Sequence, residues 1–166
     1  MRTTRQFLAK EVYLPRYMAL ASEDYDEKGA IFSFNIREPN VVRGDIVHYV
    51  TPRGLHICIS QGSYALVENM IKEGKIEEMD VSEIRKILLT GRVKIAELYQ
   101  RFRREIELSE NTVQARFNLT RFRQGKTPIL KLDFDFGNKA IQGNLVSMIT
   151  PNPMPQTNSD LMRNPI

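Results

Sequence analysis

The chain has 166 residues, 42% of them hydrophobic and 27% charged, with a net charge of +4, one cysteine and two histidines. That size and balance predict a single soluble domain with a proper core, exclude an internal disulfide and argue against a dedicated zinc site. No apolar run reaches the roughly 20 residues of a membrane span, and Lys10, Glu11 and Arg16 interrupt any signal-like apolar stretch, so the expected location is cytoplasmic.

In chain order, Arg5 to Leu14 reads as a short helix broken by Pro15, and Glu23 to Gly29 as a turn. Ala30, Phe32, Phe34 and Ile36 then alternate with Ile31, Ser33, Asn35 and Arg37, which predicts a half-buried strand. Pro39-Asn40 ends it, and Arg43-Gly44-Asp45 forms a loop. A long helix follows. Thr51 is its N-cap, Pro52 takes the first position where a missing N–H costs nothing, and Gly74 stops it after about Lys72. Between Leu55 and Met70 apolar residues fall almost all round, the mark of a helix buried on most sides. His56 within that run is expected to be a core histidine. Asp80-Val81-Ser82-Glu83 has capping-box spacing and opens a shorter amphipathic helix that ends at Gly91.

Four strands complete the pattern. Phe102, Ile106 and Leu108 share one parity, as do Val113, Ala115, Phe117 and Leu119, then Leu130, Leu132, Phe134 and Phe136, and finally Ile141, Leu145 and Ile149. Each strand is half-polar, so they form an antiparallel meander with one wet face. Three prolines after Thr150 predict a disordered tail over 151–166, leaving one domain over 1–150. Strand, buried helix and meander in this order suggest an α+β hot-dog fold, an antiparallel sheet wrapped around a long central helix. Such proteins pair sheet edges, and Phe32, Phe34 and the meander strands are expected to support a homodimer or higher even oligomer.

Several residues carry candidate chemistry. The start of the long helix, at Gly54 and Leu55, has the partial positive charge to polarise a thioester carbonyl, although a merely capped helix start explains it equally well. His48, three residues after Asp45, is placed as a general base or as an exposed loop histidine. Ser60 and Tyr64 share a helix face bordered by Gln61, fit either to line an acyl tunnel or to form a buried hydrogen-bond network. No spacing gives a Ser-His-Asp arrangement. The helix carries no acid before Glu68, which argues against hot-dog enzymes that use a helix carboxylate. From Arg92 to Lys131 ten Lys and Arg face four Glu. Within that excess Arg101, Arg103, Arg116 and Arg121 suit the phosphates of coenzyme A or phosphopantetheine. Nucleic acid is disfavoured, because Phe102 and Phe117 sit at core parity and not where bases would stack.

Three segments carry a family resemblance. They are Cys58-Ile59-Ser60-Gln61-Gly62-Ser63-Tyr64, then Arg101-Phe102-Arg103 with Asn111 and Ala115-Arg116, and Phe34-Asn35-Ile36-Arg37-Glu38. In order and spacing they resemble the FcoT family of hot-dog proteins, described as fatty acyl-CoA thioesterases and as (2E)-enoyl-acyl-carrier-protein glycyltransferases. Ser60 stands where that family has Asn, Val41 falls near a family tyrosine implicated in catalysis, and His48-Tyr49 is a loose counterpart of its Gly-His. The resemblance implies an acyl-thioester substrate on coenzyme A or a carrier protein, with no cofactor apart from that substrate's own coenzyme A or phosphopantetheine. On the chemistry of the residues themselves, the site would combine catalytic His48, Ser60 and Tyr64 with substrate contacts from Gly54, Leu55, Gln61, Arg101, Arg103, Arg116 and Arg121. Hydrolysis, amine addition to an enoyl thioester, and acyl binding without catalysis all remain open readings at this point.

Overall fold

The computed structural model describes residues 3–27, 29–36, 40–42, 45–47, 52–77, 79–104, 106, 112–123 and 125–150. His48, Thr51, Asn111 and the tail 151–166 lie outside them, as do the side chains of Val41 and Asp45.

A short helix α1 (Thr4–Phe7) is closed by a reciprocal Thr3–Gln6 capping box and runs into a π-turn, Leu8–Val12. A 3₁₀ turn at Pro15–Tyr17 leads to strand β1 (Leu20–Asp26), paired with β2 (Gly29–Asn35). The segment read as a turn from Glu23 is therefore mostly strand. Ser22, Glu23, Asp24 and Asp26 hide it because they are poor strand formers, tolerated here on a sheet edge. Leu20 anchors it in the core, and Tyr25 packs edge-on against Phe32. The expected loop before the long helix holds a small hairpin of β3 (Asn40–Val42) and β4 (Asp45–Val47).

Helix α2 spans Pro52–Lys72, within a residue of the expected limits. At its end Gly74 takes a φ of 69°, with Gly74 N–H donating to Ile71 and Lys75 N–H to Met70, so the last carbonyls are paired. Residues 61–68 are buried on every side. His56, by contrast, is exposed: in the first turns of α2 one face, with Leu55, Cys58 and Ile59, is buried, and His56 lies on the other. Helix α3 (Val81–Leu89) is capped by the Asp80 side chain, which accepts from Glu83 N–H at 2.8 Å.

The remaining strands are β5 (Val93–Phe102), β6 (Thr112–Arg123), β7 (Ile129–Phe136) and β8 (Ile141–Ile149). With β1 and β2 they form a six-stranded sheet in the order β1-β2-β6-β7-β8-β5, and every neighbouring pair is antiparallel. The last three strands follow the expected parity. β5 does not: it starts at Val93 and ends at Phe102, before Ile106. A bulge between Ile95 and Glu97 shifts its phase, so Val93 and Ile95 share the inner face with Leu98, Gln100 and Phe102.

Helix α2 packs on β1, β2 and β6, where Phe32, Phe34, Phe117, Phe134 and Phe136 form a continuous aromatic core. Phe32 and Phe34 thus lie on an internal strand and cannot serve as a pairing edge, which falls instead to β1 and β5. On the inner face of β5, outside the half of the sheet that α2 covers, Val93, Leu98 and Gln100 are half-buried and Ile95 is 52% exposed. Phe102, at core parity as expected, is nevertheless 54% exposed.

Candidate functional site

Beside α2, over the half of the sheet that it does not cover, lies a cavity of about 210 Å³. One wall is a single face of α2, with Ser60, Ser63, Tyr64 and Val67 at successive turns. Ile84 and Leu88 of α3 form another, and Tyr13 closes a third side. The floor is the inner face of the sheet: Val93 and Ile95 from β5, Leu130 and Leu132 from β7, Leu145 and Ser147 from β8. This is an apolar chamber with hydroxyl groups on two facing walls.

At one end the wall meets a buried ion cluster. The Tyr64 hydroxyl donates to Glu68 Oε2 at 2.7 Å, and Thr4 Oγ1 donates to Oε1 at 2.8 Å. Arg85 grips the same carboxylate with Nε at 3.0 Å and Nη2 at 2.7 Å, and Lys72 Nζ lies 2.7 Å from Oε1. The Arg85 guanidinium also stacks over the Phe7 ring. Burial by itself would raise the Glu68 pKa, but the donors from Arg85, Lys72, Tyr64 and Thr4 outweigh it and bring it down to about 2. Glu68 is therefore a fixed anion. Burial, and then the hydrogen bond to Glu68, push the Tyr64 phenol up, so it stays protonated at ordinary pH. Burial raises Tyr13 as well. Cys58 is fully buried, and burial raises its thiol far above reactive range, with a backbone hydrogen bond opposing only part of that.

The structure brings Ser60 and Tyr64 together in this wall, as their spacing requires. Gln61 faces elsewhere: its Oε1 accepts from Ala19 N–H and Leu20 N–H, and its Nε2 donates to the Tyr17 carbonyl at 2.7 Å. That amide fastens the start of β1 to α2. Gly54 and Leu55, at the helix start, are not in the cavity lining, and Leu55 is fully buried. His48 lies outside the described residues.

The arginines stand apart from the cavity. Strand register aligns Arg116, Asp135, Gln142 and Arg101 across the outer face, opposite the cavity floor, and Arg121 stands beside Lys131 on that face. Arg116 is ion-paired with Asp26. Arg101 and the exposed Arg103 mark the far end of β5, at the open edge. Sequence reasoning missed Ser63, Ser147 and the Glu68–Arg85 cluster. Ser147 left a trace, being a polar residue at core parity between Leu145 and Ile149. Arg85 left another, one turn from Val81 on an otherwise apolar face of α3. Among the described residues no group of His, Cys, Asp and Glu converges as a metal site, and no helix is long and apolar enough to cross a membrane.

Solved structures share this architecture over nearly their whole length. A candidate thioesterase from Shewanella oneidensis aligns with 89% of this chain and 95% of its own at 12% identity and a TM-score of 0.58. Cj0977, a sigma28-regulated virulence protein from Campylobacter jejuni, covers 92% and 99% at 12% identity and 0.54. The HP0420 homologue from Helicobacter felis covers 89% and 90% at 9% identity and 0.53. The chain has the hot-dog fold. No family model matches it and no curated protein matches it in sequence, so the FcoT resemblance rests on the residues quoted above.

Proposed function

We propose that the protein binds acyl thioesters of coenzyme A or a carrier protein and hydrolyses them. The observation that carries this reading is the cavity itself: a partly open apolar chamber beside the long helix of a hot-dog fold, lined for an alkyl chain and not for a polar metabolite. The acyl chain lies along the Ser60–Ser63–Val67 face, with its thioester towards the start of α2. There the helix dipole stabilises the negative charge that develops on the carbonyl oxygen. Water adds to the carbonyl carbon, the carbon–sulfur bond breaks, and the departing sulfur takes up a proton. His48 is the candidate base for the water. The active form is a homodimer, and the phosphates of the substrate lie against Arg101 and Arg103 at the open end of β5. The FcoT resemblance adds a finer version, in which the amine of glycine replaces water and attacks an enoyl thioester.

A second reading, acyl binding without turnover, is favoured by the lining. The titratable groups that the described lining contributes are Tyr13 and Tyr64, both held protonated, and the carboxylate that Tyr64 touches, Glu68, lies outside that lining and is committed to Arg85 and Lys72. Mass spectrometry on a chain-length series of acyl-CoA and acyl-carrier-protein esters, with and without glycine, separates these readings. Free acid and thiol mean hydrolysis, and a glycine adduct means amine addition. Ester that co-purifies unchanged means binding only. Ester neither bound nor altered would overturn the acyl-thioester assignment.

A further inference from the structure

Ser63 lies at mid-helix with its side chain in the cavity wall, 9% exposed, and its Oγ has no hydrogen-bond partner among the described residues. A serine in a helix ordinarily satisfies such burial by donating to the carbonyl four residues earlier, which here would be Ile59. Ser63 does not do so. A buried hydroxyl left unpaired is costly, and replacing it with a methyl group is the cheap remedy. The hydroxyl is retained in a wall that two more serines reach, Ser60 one turn earlier and Ser147 from β8 on the floor, while Val67, Leu88, Leu132 and Leu145 make the rest apolar.

A volume of about 210 Å³ exceeds the roughly 150 Å³ of an engineered apolar cavity that binds benzene, so a chain of several carbons fits with room for a substituent. The Ser63 Oγ is closed to water, and a fully saturated chain gives it no reason to turn. A chain carrying a hydroxyl or keto oxygen would pair with it on rotation of the Ser63 side chain about χ1 towards the cavity. We propose that the cavity selects acyl chains oxygenated along the chain over saturated ones, and that Ser63 is the specificity-determining residue that recognises the oxygen. This deepens the acyl-thioester reading and rests on it.

The test is titration calorimetry of the full chain with octanoyl-CoA and a positional series of its hydroxy and oxo analogues. At least one analogue should bind roughly 3- to 10-fold tighter than octanoyl-CoA, the span of one net hydrogen bond. Ser63→Ala should erase that advantage, leave octanoyl-CoA affinity equal or better, and melt no lower than wild type, because it removes an unpaired group. Ser63→Cys, a weaker donor of similar shape, should retain part of the advantage. Equal binding of parent and analogues by the wild type, or an advantage that survives Ser63→Ala, overturns the assignment and leaves the acyl reading standing. If neither octanoyl-CoA nor any analogue binds, both fall together.

Discussion

The Tyr64 hydroxyl donates to the Glu68 carboxylate at 2.7 Å, one turn further along the same helix. The phenol therefore belongs to two structures at once, the cavity wall and the ion cluster that fastens α1 and α3 to α2. Tyr64→Phe keeps the ring against Phe7 but removes a hydrogen bond to a charged acceptor, which is worth about 1.5–3 kcal/mol. Urea denaturation should report that loss. Turnover of an acyl-CoA ester, measured where both proteins are folded, should stay near wild type, since the hydroxyl proton is already committed. A collapse of turnover beyond the stability change would assign the hydroxyl to the reacting thioester.

Glu68 gives stability a distinct pH signature. Its folded pKa, about 2, lies below the ordinary carboxylate value of 4.5, so the unfolded chain binds its proton first as pH falls. The contribution is complete above the unfolded pKa and is lost as pH drops through the interval down to about 2. The shift corresponds to roughly 3 kcal/mol. Glu68→Gln should be markedly less stable than wild type at pH 7, with the gap narrowing between pH ~5 and pH ~2. Arg85→Met leaves a buried carboxylate short of its main partner and should cost about 3–5 kcal/mol at neutral pH. A constant gap across the acid range would mean that Glu68 is not the group responsible.

At Gly62, α2 lies directly against the aromatic side chains of the sheet. A Cβ there would lie 2.7 Å from Phe117 Cζ and 3.1 Å from Phe34 Cζ. Alanine is the better helix former by about 1 kcal/mol, yet the Phe117 ring is wedged among Phe32, Phe34, Phe134 and Phe136 and cannot retreat. Gly62→Ala should therefore destabilise by about 1–3 kcal/mol despite its propensity. Combining it with Phe117→Leu should recover part of the loss in a double-mutant cycle. Additive losses would show that the two sites do not clash.

The long helix was legible because its ends are written chemically, with proline at the first position and glycine just past the last turn. The strands of β6, β7 and β8 were legible because parity survives wherever one face is buried. What escaped was structure that parity does not encode. β1 carries Glu23, Asp24 and Asp26 and is held by its pairing with β2 and by Leu20, neither of which has a local signal. β5 was placed too late because its bulge breaks the alternation between Ile95 and Leu98. Ser60 and Tyr64 could be paired by helical spacing alone. Which way Gln61 and Ser63 point depended on where α2 sits over the sheet, a tertiary fact. Glu68 and Arg85, seventeen residues apart, meet only because α3 folds back on α2.

The arginines divide into two groups that a binding experiment can separate. Arg101, on the outer face with Arg116 and Arg121, stands exposed with Arg103 at the open end of β5, whereas Arg116 is paired with Asp26 and Arg121 stands beside Lys131 in the middle of the sheet. Arg101→Ala and Arg103→Ala should weaken coenzyme A binding and flatten its dependence on salt. Arg116→Ala and Arg121→Ala should leave both unchanged. Equal effects at all four positions would point to a diffuse field in place of a phosphate contact.

The two sheet edges are built differently, and the proposed homodimer would form along the more open one. β1 presents Ser22, Glu23, Asp24 and Asp26, charges that discourage another strand. β5 pairs only with β8 among the described strands and leaves Ile95 52%, Tyr99 58% and Phe102 54% exposed along ten residues of edge. A second copy pairing antiparallel along β5 would satisfy the open backbone groups and cover those side chains, and it would bring Ile95 and the cavity beside it to the junction. Light scattering should therefore give a mass near twice the 19.2 kDa of the chain. Ile95→Lys combined with Phe102→Lys should yield a folded monomer, because both positions are solvent-exposed and neither holds up the core. A wild-type monomer at micromolar concentration would overturn the β5 interface. A charged double variant that stays dimeric would move the interface to another surface.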